Sequence, residues 1–349
     1  RPVSKLRPDK PLVLAATTSV AAVAQVMVER RAAAVLLTGK DGTLSGILTD
    51  TDVTRRVVSK ELSVEGTTAE DVMTANPTTV TLEDDCLDAL TLMVRGSFRH
   101  LPVLDSGDAV VGCLDIAKCL NDAITRLEKM EEHREKQLGN GTNKQLEAAA
   151  MAMALAGRGG GGKHQTALVS TLMQLLSSSG GNGEDGGSKL PSVGSMLSGA
   201  SSTALLSKEA SVLEASREMA ASRKACLVVG ENGELIGLVT FKDVLGRVVA
   251  KGLSPGGAIL GEVMTPKPGS VTPDMSLLDA LYTMRDGHFL NLPVVEESGR
   301  ALGLLSAMEI VQSLSSLTGK DDGGRSFWAS TMAEGDDAWE SQSEAGSMR

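Results

Sequence analysis

The sequence predicts an α/β protein built from four copies of one strand-helix-strand-strand-helix unit, arranged as two paired modules. Three observations predict it. The stretch "GILTDTDVTRRVV" (Gly46 to Val58) returns as "GLVTFKDVLGRVV" (Gly237 to Val249), and the offset of 191 from Gly46 to Gly237 also separates Asp71 from Glu262. The halves then align without a gap through Met73/Met264, Pro77/Pro268, Asp88/Asp279, Met93/Met284, Phe98/Phe289, Pro102/Pro293 and Gly112/Gly303, too regular a match for chance. Within each half two similar units begin, near Lys5 and Asp71 and near Ser192 and Glu262. Finally, the strand-like runs are Val, Leu and Ala without alternation, so both of their faces are buried and the helices of their own or the neighbouring unit must cover them.

The elements follow in order through the first unit. Val13 and Leu14 make a short strand. Ser19 caps a helix that carries Val20, Val23, Val26 and Met27 on one face. Ala33 to Thr38 is an apolar strand, "GKDGT" supplies a glycine-containing hairpin, and Ser45 to Thr49 is its partner. Asp50 to Val58 is the second helix. One unit cannot hide its own sheet, so pairing of units is expected. The units are read as 1–66, 67–133, 190–257 and 258–318.

Residues 134–189 between the halves have flexible-linker composition ("GRGGGG", "SSSGGNGEDGGS") around two helical pieces, Lys144 to Ala156 and Thr166 to Ser177. The leucine stripe of the second piece packs on this chain's own body or docks a partner. Residues 319–349 are acidic, Gly/Ser rich and aperiodic, and a disordered tail is expected there.

Composition narrows the functions. With 349 residues, 42% of them hydrophobic, the chain can bury a full-sized core, and only 2% are aromatic. A net charge of −10 with no dense Lys/Arg block argues against nucleic acid as a partner. Cys86, Cys113, Cys119 and Cys226 form no CxxC pair, which suits a reducing interior, and the cytoplasm is the expected compartment. The most apolar run, around Ala148 to Ala156, falls short of the roughly 20 residues that span a bilayer. Because the chain opens at Arg1, it reads as a fragment, and removal of a targeting peptide stays open.

Catalytic motifs fail one by one. "GRGGGGKH" lacks the hydroxyl residue after its lysine and the buried strand before its glycines that a phosphate loop needs. His100, His133, His164 and His288 lie far apart without acids or thiols at metal-ligand spacing, and "DTDVTRR" lacks the glycine and final glutamate of a calcium loop. No nucleophile-elbow motif is present. No catalytic residue, metal or bound cofactor is expected.

What remains is the repeated Thr-x-x-Asp. Thr49 stands where a strand turns into a helix, beside unpaired backbone amides, and its hydroxyl can join the hydrogen bonds of a phosphate. Asp52, one turn on, can accept both hydroxyls of a ribose. A cap for the helix is the other reading, and retention of the pair as Thr240 and Asp243 argues for the ligand.

The four-unit layout, the "DVMTANP" opening, "RHLPVLD" and "GILTDTDV" resemble the cystathionine-β-synthase (CBS) domain family, and in order the plant and algal proteins with four such domains. The resemblance covers Lys5 to Leu317. It implies paired domains that bind AMP, ADP, ATP or S-adenosylmethionine without doing chemistry on them. It assigns Thr49 and Asp52, and Thr240 and Asp243, to the phosphate and ribose of a ligand, with Ser306 and Glu309 at those places in the fourth unit. The second unit departs, holding Asp115 and Lys118, so its site is expected to be lost or altered. It also implies phosphate contacts for basic residues that lead into the middle strand: Arg31, Arg99, His100, Arg223 and Lys224. Each of these otherwise reads as a solvated charge. Such plant proteins usually continue into a Phox-and-Bem-type interaction domain, which is not visible here. The expected function is a regulatory module for an adenine ligand, homodimeric and acting on an unknown protein. The rival is a scaffold for self-association or partner binding whose pockets are vestigial.

Overall fold

The computed structural model describes residues 1–126, 192–197, 203–317, 325 and 328–329. The two helical pieces expected between the halves, the glycine-rich "GRGGGGKH" and most of the acidic tail lie outside them.

The first unit forms as its sequence dictates. β1 (Val13–Ala15) leads to α1 (Val20–Glu29), where the Ser19 hydroxyl accepts a hydrogen bond from the Ala22 amide at 3.3 Å and Val20, Val23, Ala24 and Met27 turn inward. β2 (Ala34–Thr38) runs parallel to β1, and the hairpin turns through Gly42 at φ +81° into the antiparallel β3 (Leu44–Thr49). α2 (Asp50–Asp52) continues as a π turn over Val53–Val57 and a 3₁₀ turn over Val58–Lys60.

The next elements are α3 (Ala69–Val72) and β4 (Thr74–Ala75), and β4 pairs with β3 rather than with its own unit. The second unit then supplies β5 (Val80–Thr81), α4 (Cys86–Arg95), β6 (His100–Leu104), β7 (Val110–Asp115) and α5 (116–126). In the second half α6 (Val193–Leu197), β8 (Leu205–Ser207), α7 (Val212–Ser222), β9 (Cys226–Val229), β10 (Leu235–Val239) and α8 (Phe241–Arg247) are followed by α9 (Leu260–Val263) and β11 (Thr265–Pro266). The fourth unit comprises α10 (Leu277–Asp286), β12 (Asn291–Val295), β13 (Ala301–Ser306) and α11 (Ala307–Leu317). The sheets run β1-β2-β3-β4, β5-β6-β7, β11-β10-β9-β8 and β12-β13.

Every unit is thus completed by a segment that precedes another. The motif glycine shows why: a Cβ on Gly46 would lie 2.2 Å from the Met73 sulfur, and one on Gly237 2.2 Å from that of Met264. In the second and fourth units the same glycines, Gly112 and Gly303, face Pro8 at 2.6 Å and Leu197 at 3.0 Å. The N-terminal residues accordingly bridge to β7 through Asp9 and Cys113, and Val3 and Leu6 are buried with α4 in the second unit's core.

Two kinds of interface join the units. The faces of β2 and β9 diverge: Val35 and Leu37, like Cys226 and Val228, point to the helices, whereas Leu227 packs with Ala225 and Leu238 against Ala301 and Leu304 of the fourth unit. Units of one half therefore meet sheet to sheet. Across the halves they meet helix to helix. α1, α2 and α3 share one core with α7, α8 and α9 through Val23, Met27, Val57, Met219, Val248 and Leu260. α4 and α5 share another with α10 and α11 through Leu90, Met93, Ile124, Leu281 and Ile310. Beyond α11, Trp328 is fully buried (0% exposed) in that second core, and Arg325 pairs with Asp85 and Asp88 on the first turn of α4. A large apolar ring withdrawn from water outweighs the acidic composition around it.

Candidate functional site

The four units surround a cleft of about 1760 Å³. Of the residues singled out above, Thr49, Asp52, Arg31, Arg99, His100, Arg223 and Thr240 line it; Asp243, Ser306, Glu309 and Lys224 do not.

At its wall in the first unit, Thr49 and Asp52 form a reciprocal cap. The Thr49 hydroxyl donates to Asp52 Oδ2 at 2.7 Å, the Thr49 amide donates to the same oxygen at 3.0 Å, and the Asp52 amide donates back to Thr49 Oγ1 at 3.2 Å. Asp52 is 7% exposed, and its other oxygen lies 3.4 Å from Arg56 Nε. Arg56 in turn donates to the carbonyls of Val72 and Met73 at 2.8 and 2.6 Å and to the Thr74 hydroxyl at 3.0 Å, holding the segment that completes this sheet. The third unit repeats the relay: Thr240 Oγ1 to Asp243 Oδ2 at 2.8 Å, Asp243 Oδ1 to Arg247 at 3.2 Å, and Arg247 to the Val263 carbonyl at 2.6 Å and Thr265 at 3.1 Å. Retention of Thr-x-x-Asp in both halves thus has a structural reason besides a ligand.

In the other two units the corresponding groups are taken by internal partners. Ser306 and Glu309 make the same cap at 2.8 Å, while Glu309 Oε1 pairs at 2.7 Å with Lys224, itself 9% exposed and directed away from the cleft. Asp115 accepts two bonds from Arg99, at 2.9 and 2.7 Å, and one from the Ala117 amide at 2.9 Å. Burial alone would raise the Asp115 pKa; the Arg99 hydrogen bonds and charge outweigh it and leave the group below the ordinary carboxylate range. Lys118 reaches Asp9 and the Arg7 carbonyl. Asp50, lining the cleft beside Arg99, goes the other way: burial raises it more than Arg99 lowers it.

His100 is buried against this group, and burial with the neighbouring Arg99 pushes its pKa down to about 4, Asp115 opposing. The unfolded chain binds a proton near 6.5 and the folded chain only near 4, so stability falls as pH drops through that window. Asn291 stands at the same place in the fourth unit. His100→Asn is therefore expected to flatten the acid side of the stability profile between those pH values. Denaturant titrations of both proteins at several pH values check it, and parallel profiles would refute it.

Two properties of the cleft emerge only from folding. Ten Lys or Arg residues line it against five Asp and no Glu, in a chain whose net charge is −10. Of the cations, Arg56, Arg99, Lys118 and Arg285 are paired, whereas Lys10, Arg30, Arg31, Arg55, Arg223 and Lys242 make no ion pair among the described residues. Three of the chain's four phenylalanines, Phe98, Phe241 and Phe289, also line it. Sequence reading missed Arg55, Lys242 and the phenylalanines; the Phe98/Phe289 correspondence between the halves was the signal available. Among the described residues no cluster of His, Cys, Asp or Glu suits a metal ion, and no helix is long and apolar enough to cross a membrane.

The CBS domain family matches residues 3–59, 69–122, 203–250 and 260–316. The chain is 35% identical over 335 residues to the CBS domain-containing protein CBSCBSPB2 of Arabidopsis thaliana, covering 96% of this chain and 57% of that protein. CBSCBSPB3 of the same plant is 34% identical over 362 residues, covering 100% of this chain and 60% of the relative. The chain therefore spans less than two thirds of the length of these curated relatives. Among solved structures, protein MJ1225 from Methanocaldococcus jannaschii matches with a TM-score of 0.57 at 12% identity, over 89% of this chain and 98% of that one, a likeness of fold. Four family matches at the four observed units, with relatives aligned along nearly the whole chain, make this protein a member of the CBS domain family, akin to plant CBS domain-containing proteins.

Proposed function

We propose that the chain is a regulatory module that binds an adenine nucleotide in the central cleft and performs no chemistry on it. The observation that carries this reading is the cationic excess of the cleft, with Thr49, Asp52 and three phenylalanines among the residues that line it. The excess suits phosphates, the carboxylate suits a ribose diol, and the rings suit a stacked base. S-adenosylmethionine, whose sulfonium is a cation, is disfavoured by the same excess. Free thiols at Cys86, Cys113, Cys119 and Cys226 support a reducing compartment, and we propose the cytoplasm. A homodimer and a regulated partner protein belong to the same proposal.

The second reading, a scaffold with vestigial pockets, is favoured by the caps and arginine relays that already use Asp52 and Asp243. Asp52→Asn separates the two, because the amide oxygen still caps Thr49 while the charge that strengthens a diol contact is gone. Isothermal titration with AMP, ADP and ATP is expected to show a tenfold to hundredfold weaker affinity, about 1.5–3 kcal/mol, beside a modest fall in melting temperature, because the Asn amide no longer pairs with Arg56. No heat from the unmodified protein with any of the three would leave the scaffold reading.

A further inference from the structure

Arg56 stands between the Asp52 carboxylate and the segment that joins the first unit to the second. Its Nε lies 3.4 Å from Asp52 Oδ1, longer than an ordinary N–H···O bond. Its amino groups donate at 2.8 and 2.6 Å to the Val72 and Met73 carbonyls, which the end of α3 leaves without an intrahelical partner, and at 3.0 Å to the Thr74 hydroxyl. Just beyond, Asn76 takes φ +46°, a left-handed backbone that residues other than glycine seldom adopt, and its amide donates to the Ser45 carbonyl at 3.0 Å. Backbone of this kind persists where its surroundings fix it, and it recurs in switch segments. The third unit repeats the joint, from Asp243 through Arg247 to the Val263 carbonyl and on to Lys267 at φ +45°. In the second unit Lys118 replaces the carboxylate and donates straight to the Arg7 carbonyl of its own completing segment at 3.0 Å, with Asp122 at the place of the arginine. A carboxylate accepts about four hydrogen bonds over its two oxygens. Oδ2 of Asp52 already holds the Thr49 amide and hydroxyl, so further donors enter at Oδ1, on the side of Arg56.

We propose that a ribose at Asp52 competes with Arg56 for Oδ1 and thereby loosens the joint between the first and second units, so that Arg56 carries the occupancy of the cleft to residues 72–76. This rests on the nucleotide reading above and adds a regulatory output to it. Hydroxyls that donate to Oδ1 take up charge that otherwise anchors the guanidinium, which is partly exposed and turns to water instead. Arg56 is then a positioning residue, and its effect has a sign opposite to that of a phosphate contact. By reciprocity, a joint that the ligand loosens also weakens the ligand, so releasing the joint by mutation tightens binding. Direct contact would act the other way, since Thr74 and Asn76 line the cleft and a ligand resting on them would slow their exchange with solvent. Arg247 gives the joint between the third and fourth units the same device. The Lys118 tie of the second unit bypasses any such carboxylate and stays fixed.

Amide hydrogen exchange and AMP titration of the full chain test it, with the unmodified protein, Arg56→Gln, Arg247→Gln and Asp52→Asn. In the unmodified protein, saturating AMP is expected to slow exchange at residues 46–52 and to speed it about fivefold or more at residues 72–76, the low end of ordinary coupling between sites. Arg56→Gln should exchange fast at residues 72–76 with or without AMP and bind AMP about fivefold more tightly, the same factor by reciprocity. Arg247→Gln should leave the response of residues 72–76 intact, which guards against a general loss of stability. Without ligand, Asp52→Asn should already speed exchange at residues 72–76, because the guanidinium has lost its anchor. Slower or unchanged exchange there on AMP binding overturns the proposal, and so does unchanged exchange in ligand-free Asp52→Asn. Weaker AMP binding by Arg56→Gln also overturns it and makes Arg56 a phosphate contact. In each of these cases the nucleotide reading stands on the binding itself. No binding of AMP by the unmodified protein, with none of ATP in its place, overturns the nucleotide reading and the coupling together and leaves Arg56 an internal brace.

Discussion

Replacing Trp328 by alanine is expected to destabilise the protein by about 3–5 kcal/mol, the range for deleting a fully buried indole. Trp328 is 0% exposed and shares its core with Leu90, Met93, Ile124, Leu281 and Ile310, the helical layer between the second and fourth units. Among the described residues no such residue fills the corresponding layer between the first and third units. The loss should therefore fall on one side of the molecule, as an early transition in calorimetry. The Trp328→Phe variant, keeping most of the apolar volume, should lose much less. Arg325→Ala removes only partly exposed pairs with Asp85 and Asp88 and should cost well under Trp328→Ala. A tail without fixed structure predicts no change in any of the three variants.

Lys224→Met should produce the second large effect, about 2–3 kcal/mol of stability. Removing one partner of a fully buried ion pair costs about 3–5 kcal/mol because the other charge is left without compensation. The Glu309 side chain is 24% exposed, so water relieves part of that cost. The double replacement with Glu309→Gln, which keeps an oxygen for the Ser306 cap, should recover most of the loss, since neither charge then remains to be desolvated. Denaturant midpoints for the two single variants and the double variant complete the cycle. Affinity for nucleotide in the cleft should hardly change, because neither residue lines it. A loss of affinity with unchanged stability would instead make Lys224 a phosphate contact.

Much of this molecule is local. The Ser19 and Ser211 caps, the Gly42 hairpin and the capping boxes at Thr49 and Thr240 each depend on residues within a few positions of one another, so they are written where they act. The 191-residue offset carries the same elements into the second half. Thr49 and Asp52 could be found in this way, but their double duty could not, because the Val72 and Met73 carbonyls that engage Arg56 come from beyond the motif.

Other features needed the folded chain. Val35, Leu36 and Leu37 are equally apolar, so the pattern says that both faces of β2 are buried without saying which meets helices and which meets a sheet. Lys224 and Arg223 are adjacent in sequence, yet one is buried against Glu309 and the other opens on the cleft. Trp328 stands in a stretch whose composition is that of a solvated tail, and it is withdrawn because the apolar core shared by the second and fourth units receives it. The sequence alone determined the repeated units, their caps and turns, and the residue types able to grip a nucleotide, since these follow from spacing and short-range hydrogen bonds. Tertiary structure decided the exchange of segments between units, the partners of each charge and the cationic cleft. Those depend on surfaces assembled from distant parts of the chain, where burial and Coulomb energy act between residues with no common period.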